Sequence, residues 1–266
     1  MVEVTWDPTK YTQFGDYRDR PFFDLAGRVM TESPDVVVDL GCGPGNLTAS
    51  LARRWPNARV IGLDSSTAML ERAQTHAAKH SNLEFVQGDI ATWQPAPEVD
   101  VVITNAALQW VPEHQKLLVE WLRALRPGAW FALQVPGNFN APSHELMREV
   151  ADSPRWSERL AGVLRHADVV SEPAQYLTMM LDAGLQAEAW ETTYQQLLQG
   201  QDPVLEWVRG TGLRPVLSAL DEADAKEYEA EYSALLRAAY PSGAHGTIYP
   251  FRRTFAVGQK TANVEQ

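Results

Sequence analysis

Cysteine is almost missing from this chain: Cys42 is the only one in 266 residues. A single thiol excludes an internal disulfide and a cysteine-built metal site. No histidine partner for a nucleophilic thiol is evident, so Cys42 reads as a small residue tolerated in a tight loop. Long apolar runs are missing too. None approaches the roughly 18 consecutive apolar residues of a membrane span, and Met1 to Pro8 lack the basic-then-apolar order of a signal peptide. Positive charge is scarce: 23 Lys and Arg against 34 Asp and Glu give a net charge of −11. That is the wrong sign for a nucleic-acid surface, where cationic contacts to phosphate dominate. These absences predict a soluble, cytoplasmic chain with neither a membrane nor a nucleic-acid partner. Internal repeats and low-complexity segments are also lacking, and without an apolar repeat the expectation is a monomer. The same acidity makes any local group of arginines informative, because an anion site must be built against the overall field.

The most organised stretch runs from Val36 to Asn46. Val36, Val37 and Val38 read as a parallel strand covered on both faces, since alternation is lost. The strand ends at Asp39, and three glycines follow at 41, 43 and 45. From Leu47 to Trp55, apolar residues at 47, 51, 52 and 55 mark one face of a helix. Strand, glycine turn and helix let a backbone approach a ligand closely beneath a helix N-terminus. The next strand, within Asn57 to Asp64, ends in an acid nineteen residues after Gly45, where a carboxylate can take both hydroxyls of a ribose.

Glycine spacing narrows the cofactor. A dinucleotide loop needs its third glycine at the sixth position, which here is Asn46. Asp39 places a carboxylate where a diphosphate would be repelled and a cationic amino-acid tail would be welcome. The loop resembles motif I of the class I S-adenosylmethionine (SAM) methyltransferases, Asp-x-Gly-x-Gly-x-Gly.

Along the rest of the chain, helical spacing from Pro21 places that proline in a first turn, with Arg18 and Arg20 just before it. Ser65 to Thr67 can cap a helix running to His80. Leu83 to Ile90, Val99 to Leu108 and Trp130 to Pro136 read as three further strands, with a helix from Glu113 to Arg126 closed by Pro127-Gly128. Strands alternating with helices through residue 136 require an α/β fold with a doubly wound, mostly parallel sheet. Residues 142–182 and 202–240 read as helical, the latter broken at Gly210 to Pro215, with strands expected at Gln186–Leu197 and Ile248–Val257. The expected organisation is a helical lid segment over 1–32, a Rossmann-like core over 33–136, a helical cap with the last strands of a seven-stranded sheet over 137–260, and a tail over 261–266.

Several segments are similar to the trans-aconitate 2-methyltransferase family: Phe14 with Arg18-x-Arg20-Pro21, the glycine loop, Asn105 to Trp110, Gln134 to Phe139 with Pro142-Ser143-His144, Trp190 to Tyr194, and Trp207-Val208 with Thr211 to Pro215. The resemblance implies transfer of the methyl group of SAM to one carboxylate of trans-aconitate, giving a monomethyl ester and S-adenosylhomocysteine. It further implies that Asp89 takes the adenine amino group while Ile90 packs on the ring. The expected cofactor set is Asp39, Gly41, Cys42, Gly43, Gly45, Asp64, Ser65, Met69, Asp89, Ile90, Asn105, Ala106 and Trp110.

The chemistry fits. A carboxylate with a pKa of about 4 is already the nucleophile at neutral pH, so no general base and no metal is expected. Alignment and exclusion of water are the main requirements. Holding a small anionic tricarboxylate calls for arginines, whose planar fork binds carboxylates in pairs of hydrogen bonds. The candidates are Arg18, Arg20, Arg214, Arg252 and Arg253, with Trp110, His144 and Tyr194 as further lining. Adjacent strand residues point to opposite faces, so at most one of Arg252 and Arg253 is expected in the pocket. Three alternatives stay open: a nicotinamide oxidoreductase, a SAM methyltransferase for another small acid or natural product, and a SAM-binding protein without turnover.

Overall fold

The computed structural model describes residues 15–164 and 169–262, without the side chains of Asp16 and Arg18. These residues group into two compact units. The first comprises Asp16–Pro136, Val170–Thr192 and the chain from Arg253; the second comprises Gly137–Val169 and Thr193–Arg252.

The first unit is built on a sheet. Its strands are β1 (Val36–Leu40), β2 (Arg59–Asp64), β3 (Leu83–Gln87), β4 (Val101–Asn105) and β5 (Trp130–Pro136), joined by the carboxyl-terminal half of β8 (Gly246–Lys260) and the amino-terminal half of β6 (Leu185–Leu198). The order is β3-β2-β1-β4-β5-β8-β6. The first five strands pair in parallel, and β8 returns antiparallel to β5. The expected doubly wound sheet is therefore present, with seven strands in its main path and an additional two-residue strand, β7 (Ser242–Gly243), paired to β8. The order reverses at β1, so the loop after β1 lies at the switch point where ligands of such sheets bind.

Valine and isoleucine runs form these strands because both faces are covered. One face packs Val36, Val38, Leu40, Val102, Phe131 and Leu133 against Trp121 and Leu118 of α4 (His114–Ala124) and Tyr176 and Met180 of α7 (Pro173–Asp182). Trp121 is fully buried and donates its indole N–H to the Trp93 carbonyl at 2.9 Å, so its polar end is satisfied. Around the glycine loop, α2 (Asn46–Arg54) buries Thr48, Ala49, Leu51 and Ala52, and α3 (Thr67–Ala77) buries Met69, Leu70 and Ala73.

The amino-terminal helix α1 spans Gly15–Ala26, with Pro21 inside it. This corrects the expected start at Pro21: Arg18 and Arg20 are helical residues. Arg20 is exposed and pairs with Asp24 one turn later at 3.8 Å, and Phe22 and Leu25 supply the buried face.

The second unit is mainly helical: α5 (Pro142–Ala151), α6 (Ser157–Leu160), α8 (Pro203–Arg209), α9 (Arg214–Ala219) and α10 (Glu222–Ala239). Its core joins Met147, Trp156, Trp207, Val216, Tyr228 and Tyr232 with Tyr249 and Phe251 of β8. Asp221 caps α10, accepting from the Asp224 amide at 2.9 Å. Among the described residues, no helix is long and apolar enough to cross a membrane.

Candidate functional site

The loop after β1 is shaped by its glycines. Gly41, Gly43 and Gly45 all have positive φ, at 77°, 56° and 80°. At Gly41 an added Cβ would stand 2.4 Å from the Ala107 Cβ, and at Gly45 it would stand 2.5 Å from the Phe85 ring. Those two glycines let the loop lie against the end of β4 and against β3. At Gly43 no atom of the described residues lies within 4 Å of that position, so the middle of the loop presents bare backbone. That is the form a cradle for a ligand takes.

Two carboxylates hold the loop. Asp64, at the end of β2, accepts the Gly43 amide on one oxygen at 2.8 Å and the Ser66 amide on the other at 2.8 Å. Asp64 thus straps the loop to the neighbouring strand while keeping lone pairs for a ribose. Asp39 is buried and accepts the Thr48 hydroxyl at 2.7 Å. Burial pushes its carboxyl up to about 7; the Thr48 hydrogen bond opposes this, and the charge of Asp64 adds to it. A cation placed beside Asp39 would restore its charge, the environment that an amino-acid ammonium provides.

The remaining cofactor candidates line the same sheet edge. Asp89 caps a short 3-10 turn, Ile90–Thr92, accepting the Ala91 amide at 2.8 Å. One oxygen thus serves the turn, as a strand-terminal aspartate commonly does, and the other takes no hydrogen bond among the described residues. Ile90 is half-buried, 3.3 Å from the position of a Gly41 Cβ. Ser65 is exposed; Met69 is buried and its amide is capped by the Ser66 hydroxyl. Ala106 adopts positive φ, 54°, at the end of β4, a strained conformation for a residue with a side chain and one that concentrates at functional sites. Trp110 ends the 3-10 turn Leu108–Trp110 and is half-buried. The Cys42 thiol is buried, and burial pushes it far above the ordinary thiol range, with Asp39 and Asp64 adding to the effect. It is a packing residue of the loop, not a nucleophile.

The strand register shows a feature that the sequence did not. Asp39 pairs with Ile103, Asn105 with Gln134, and Pro136 with Arg253. Alternation then puts Asp39, Asn105, Gln134 and Arg253 on one face, in a polar row near the carboxyl ends of β1, β4 and β5. Arg253 is only 5% exposed and donates from Nη1 to the Gln134 Oε1 at 3.3 Å. Gln134 is fully buried, and its Nε2, like the Asn105 Oδ1, has no hydrogen-bond partner among the described residues. Such groups are costly to bury unless something meets them. Gln134 and Thr48 were not among the expected site residues; a glutamine in the middle of the apolar strand Trp130–Pro136 was the available signal.

The anion-pocket candidates divide between the units. Arg20, Trp110 and Arg253 belong to the sheet unit, and His144, Tyr194, Arg214 and Arg252 to the helical one. Arg18 is helical, but its side chain lies outside the described residues. Tyr194 is buried on β6, Arg214 opens α9, and Arg252 is half-buried next to Arg253 on the opposite face of β8. Among the described residues no group of His, Cys, Asp and Glu could hold a metal ion.

Residues 37–128 match a family model described as a methyltransferase domain. The chain is 52% identical over 263 residues to the trans-aconitate 2-methyltransferase of Streptomyces avermitilis, covering 97% of this chain and 98% of that protein. It is 54% identical to the protein of the same name from Streptomyces coelicolor, over 96% of this chain and 87% of the relative. Among solved structures, the geranyl diphosphate C-methyltransferase of S. coelicolor, in complex with Mg2+, geranyl diphosphate and S-adenosyl-L-homocysteine, aligns with a TM-score of 0.53 at 16% identity, over 95% of this chain and 82% of that one; this likeness concerns the fold. The chain belongs to the trans-aconitate 2-methyltransferase family.

Proposed function

We propose that this chain transfers a methyl group from S-adenosylmethionine to one carboxylate of trans-aconitate, forming the monomethyl ester and S-adenosylhomocysteine. The observation that carries this reading is the extent of the likeness. The methyltransferase-domain match stops at residue 128, whereas the identity of about half the residues with relatives of that name extends over 97% of the chain. It therefore includes the helical unit, where four of the anion-pocket candidates lie.

The loop residues fit the cofactor. The open space at Gly43 admits a ligand against backbone, Asp39 and Asp64 supply negative charge and ribose acceptors, and Ile90 offers an apolar surface. When bound, the cofactor supplies a methyl group on a positively charged sulfur. The protein's own task is then to place a carboxylate oxygen in line with that methyl group and keep water away, an effect that can lower a barrier by roughly 7–11 kcal/mol. The substrate oxygen is already ionised and needs no base. Within the sheet unit Arg253, oriented by Gln134, and within the helical unit Arg214 are each candidates for a substrate carboxylate, and a charged hydrogen bond of that kind contributes about 1.5–3 kcal/mol. Arg20, exposed and paired with Asp24, carries less of that burden.

The test is methyl transfer from labelled SAM to trans-aconitate, cis-aconitate, citrate and a panel of monoacids. Strong preference for trans-aconitate, with Arg214→Ala raising its KM while SAM binding persists, supports the assignment. SAM binding with turnover only on another acid, or on none, refutes the substrate.

A further inference from the structure

His144 is the third residue of α5, and its ring is held through Nδ1. That nitrogen lies 3.4 Å from the Asn138 amide nitrogen and 3.2 Å from the Ser143 hydroxyl. The Ser143 hydroxyl is in turn 3.2 Å from the Tyr249 hydroxyl. Taking the amide nitrogen as the donor, Nδ1 is the acceptor and the ring proton is assigned to Nε2. The frame is tied by further contacts: Tyr232 donates to the Ser143 carbonyl, the Ser143 amide donates to the Tyr240 hydroxyl, and Phe139 stands edge-on at 5.5 Å. Asn138 is 3% exposed, and its Oδ1 has no partner among the described residues.

Nε2 faces Gly212. A Cβ built there would stand 3.2 Å from that nitrogen. Gly212 does not have positive φ, so its backbone would accept any residue, and the tightest contact of a β-carbon would be with the His144 nitrogen. The turn itself is fixed, with the Thr211 and Leu213 amides both on the Val208 carbonyl at 2.9 Å. Arg214 follows two residues later. A glycine here places no side chain against that nitrogen.

We propose that His144, fixed as the neutral Nε2–H tautomer by Asn138 and Ser143, donates a hydrogen bond to a carboxylate of the bound tricarboxylate, and that Gly212 determines specificity by keeping that nitrogen reachable. The inference rests on the function proposed above. Asn138 and Ser143 are positioning residues in this scheme. Burial, with the Arg148 charge adding to it, holds His144 down to about 4. The ring is then an uncharged donor throughout the neutral range, giving direction to one carboxylate without adding a cation.

The experiment combines nitrogen-15 NMR of the histidine rings with kinetics of Gly212→Ala, His144→Gln and His144→Phe. In full-length enzyme saturated with S-adenosylhomocysteine, Nε2 of His144 is expected to be protonated from about pH 6 to about pH 8 and to shift when trans-aconitate is added. Gly212→Ala and His144→Phe should each raise the KM for trans-aconitate about tenfold or more, with the Kd for SAM unchanged. His144→Gln, whose amide can donate from a similar place, should recover part of that loss. Gly212→Ala leaves the fold's polar network in place, so it remains informative if the histidine variants fail to fold. A proton found on Nδ1, or a Gly212→Ala enzyme with the wild-type KM, overturns this inference alone. Absence of wild-type turnover on trans-aconitate overturns the functional reading and this inference with it.

Discussion

The substitution Asp39→Asn should make the cofactor-free protein more stable and the cofactor weaker, two effects of opposite sign from one buried carboxyl. In the folded chain this carboxyl is raised from 3.8 to about 7, mainly by burial. The folded state therefore holds a proton that the unfolded state has already released. Between those two values stability falls as pH rises, by about 1.4 kcal/mol per pH unit, and above the upper value the loss is complete. The ceiling on this cost is about 4 kcal/mol. The amide of the Asp39→Asn variant would keep the hydrogen bond from the Thr48 hydroxyl, now 2.7 Å from the carboxylate, but bury an N–H2 that needs an acceptor. About half the ceiling, roughly 2 kcal/mol, should remain as stabilisation near pH 8, or about 4 to 8 °C in Tm. Near pH 5 the folded carboxyl is protonated while the unfolded one is still ionised, so the wild-type cost has fallen to about 2 kcal/mol, close to the penalty of the buried N–H2, and the difference should be close to zero. Without its charge-assisted contact the SAM ammonium should bind about ten- to a hundredfold more weakly. Thermal unfolding at both pH values, with SAM affinity by calorimetry, measures each effect. A variant no more stable than wild type near pH 8, or one that binds SAM equally well, would refute the reasoning.

In the wild type, SAM affinity should increase as pH rises through about 7, because the cation favours the ionised form of Asp39; titration calorimetry between about pH 6 and about pH 8 checks the sign. Gly41→Ala should abolish tight SAM binding, since its Cβ would collide with that of Ala107 at 2.4 Å and positive φ adds strain; equilibrium dialysis with labelled SAM is the measurement. Gln134→Leu should raise the KM for trans-aconitate about tenfold by releasing Arg253, with the SAM Kd unchanged, as read by initial rates. Asp100→Ala should cost about 2–4 kcal/mol in denaturant unfolding, because its carboxylate accepts the Asp35 and Val36 amides and pairs with Arg126.

Much of the architecture was legible because it depends on local chemistry. Runs such as Val36–Val38 and Trp130–Pro136 read as buried strands and are strands, and the helical reading of 142–182 and 202–240 is met by helices that open at Pro142, Pro173 and Pro203. Pro21 misled for the same reason. A proline is tolerated in a first turn, but packing of Phe22 and Leu25 holds a helix around it. The shape of the glycine loop was legible, because Gly41 and Gly45 are required by backbone geometry and close approach, which leave a mark in sequence spacing.

The substrate side was not legible in that way. Arginines can be counted in a sequence, but whether each is buried depends on partners distant along the chain. Arg20 finds a surface carboxylate one turn away, while Arg253 is buried against Gln134, 119 positions distant. The polar row from Asp39 to Arg253 exists only because strand register aligns residues from four separate segments. His144 Nε2 likewise faces a glycine 68 positions away whose own backbone does not require it. Strands, helices and the glycine loop could be read from the residues alone, since each follows from interactions over a few positions. Which polar side chains are buried together could not, because burial and hydrogen-bond partnership are properties of pairs that the chain brings together only when it folds.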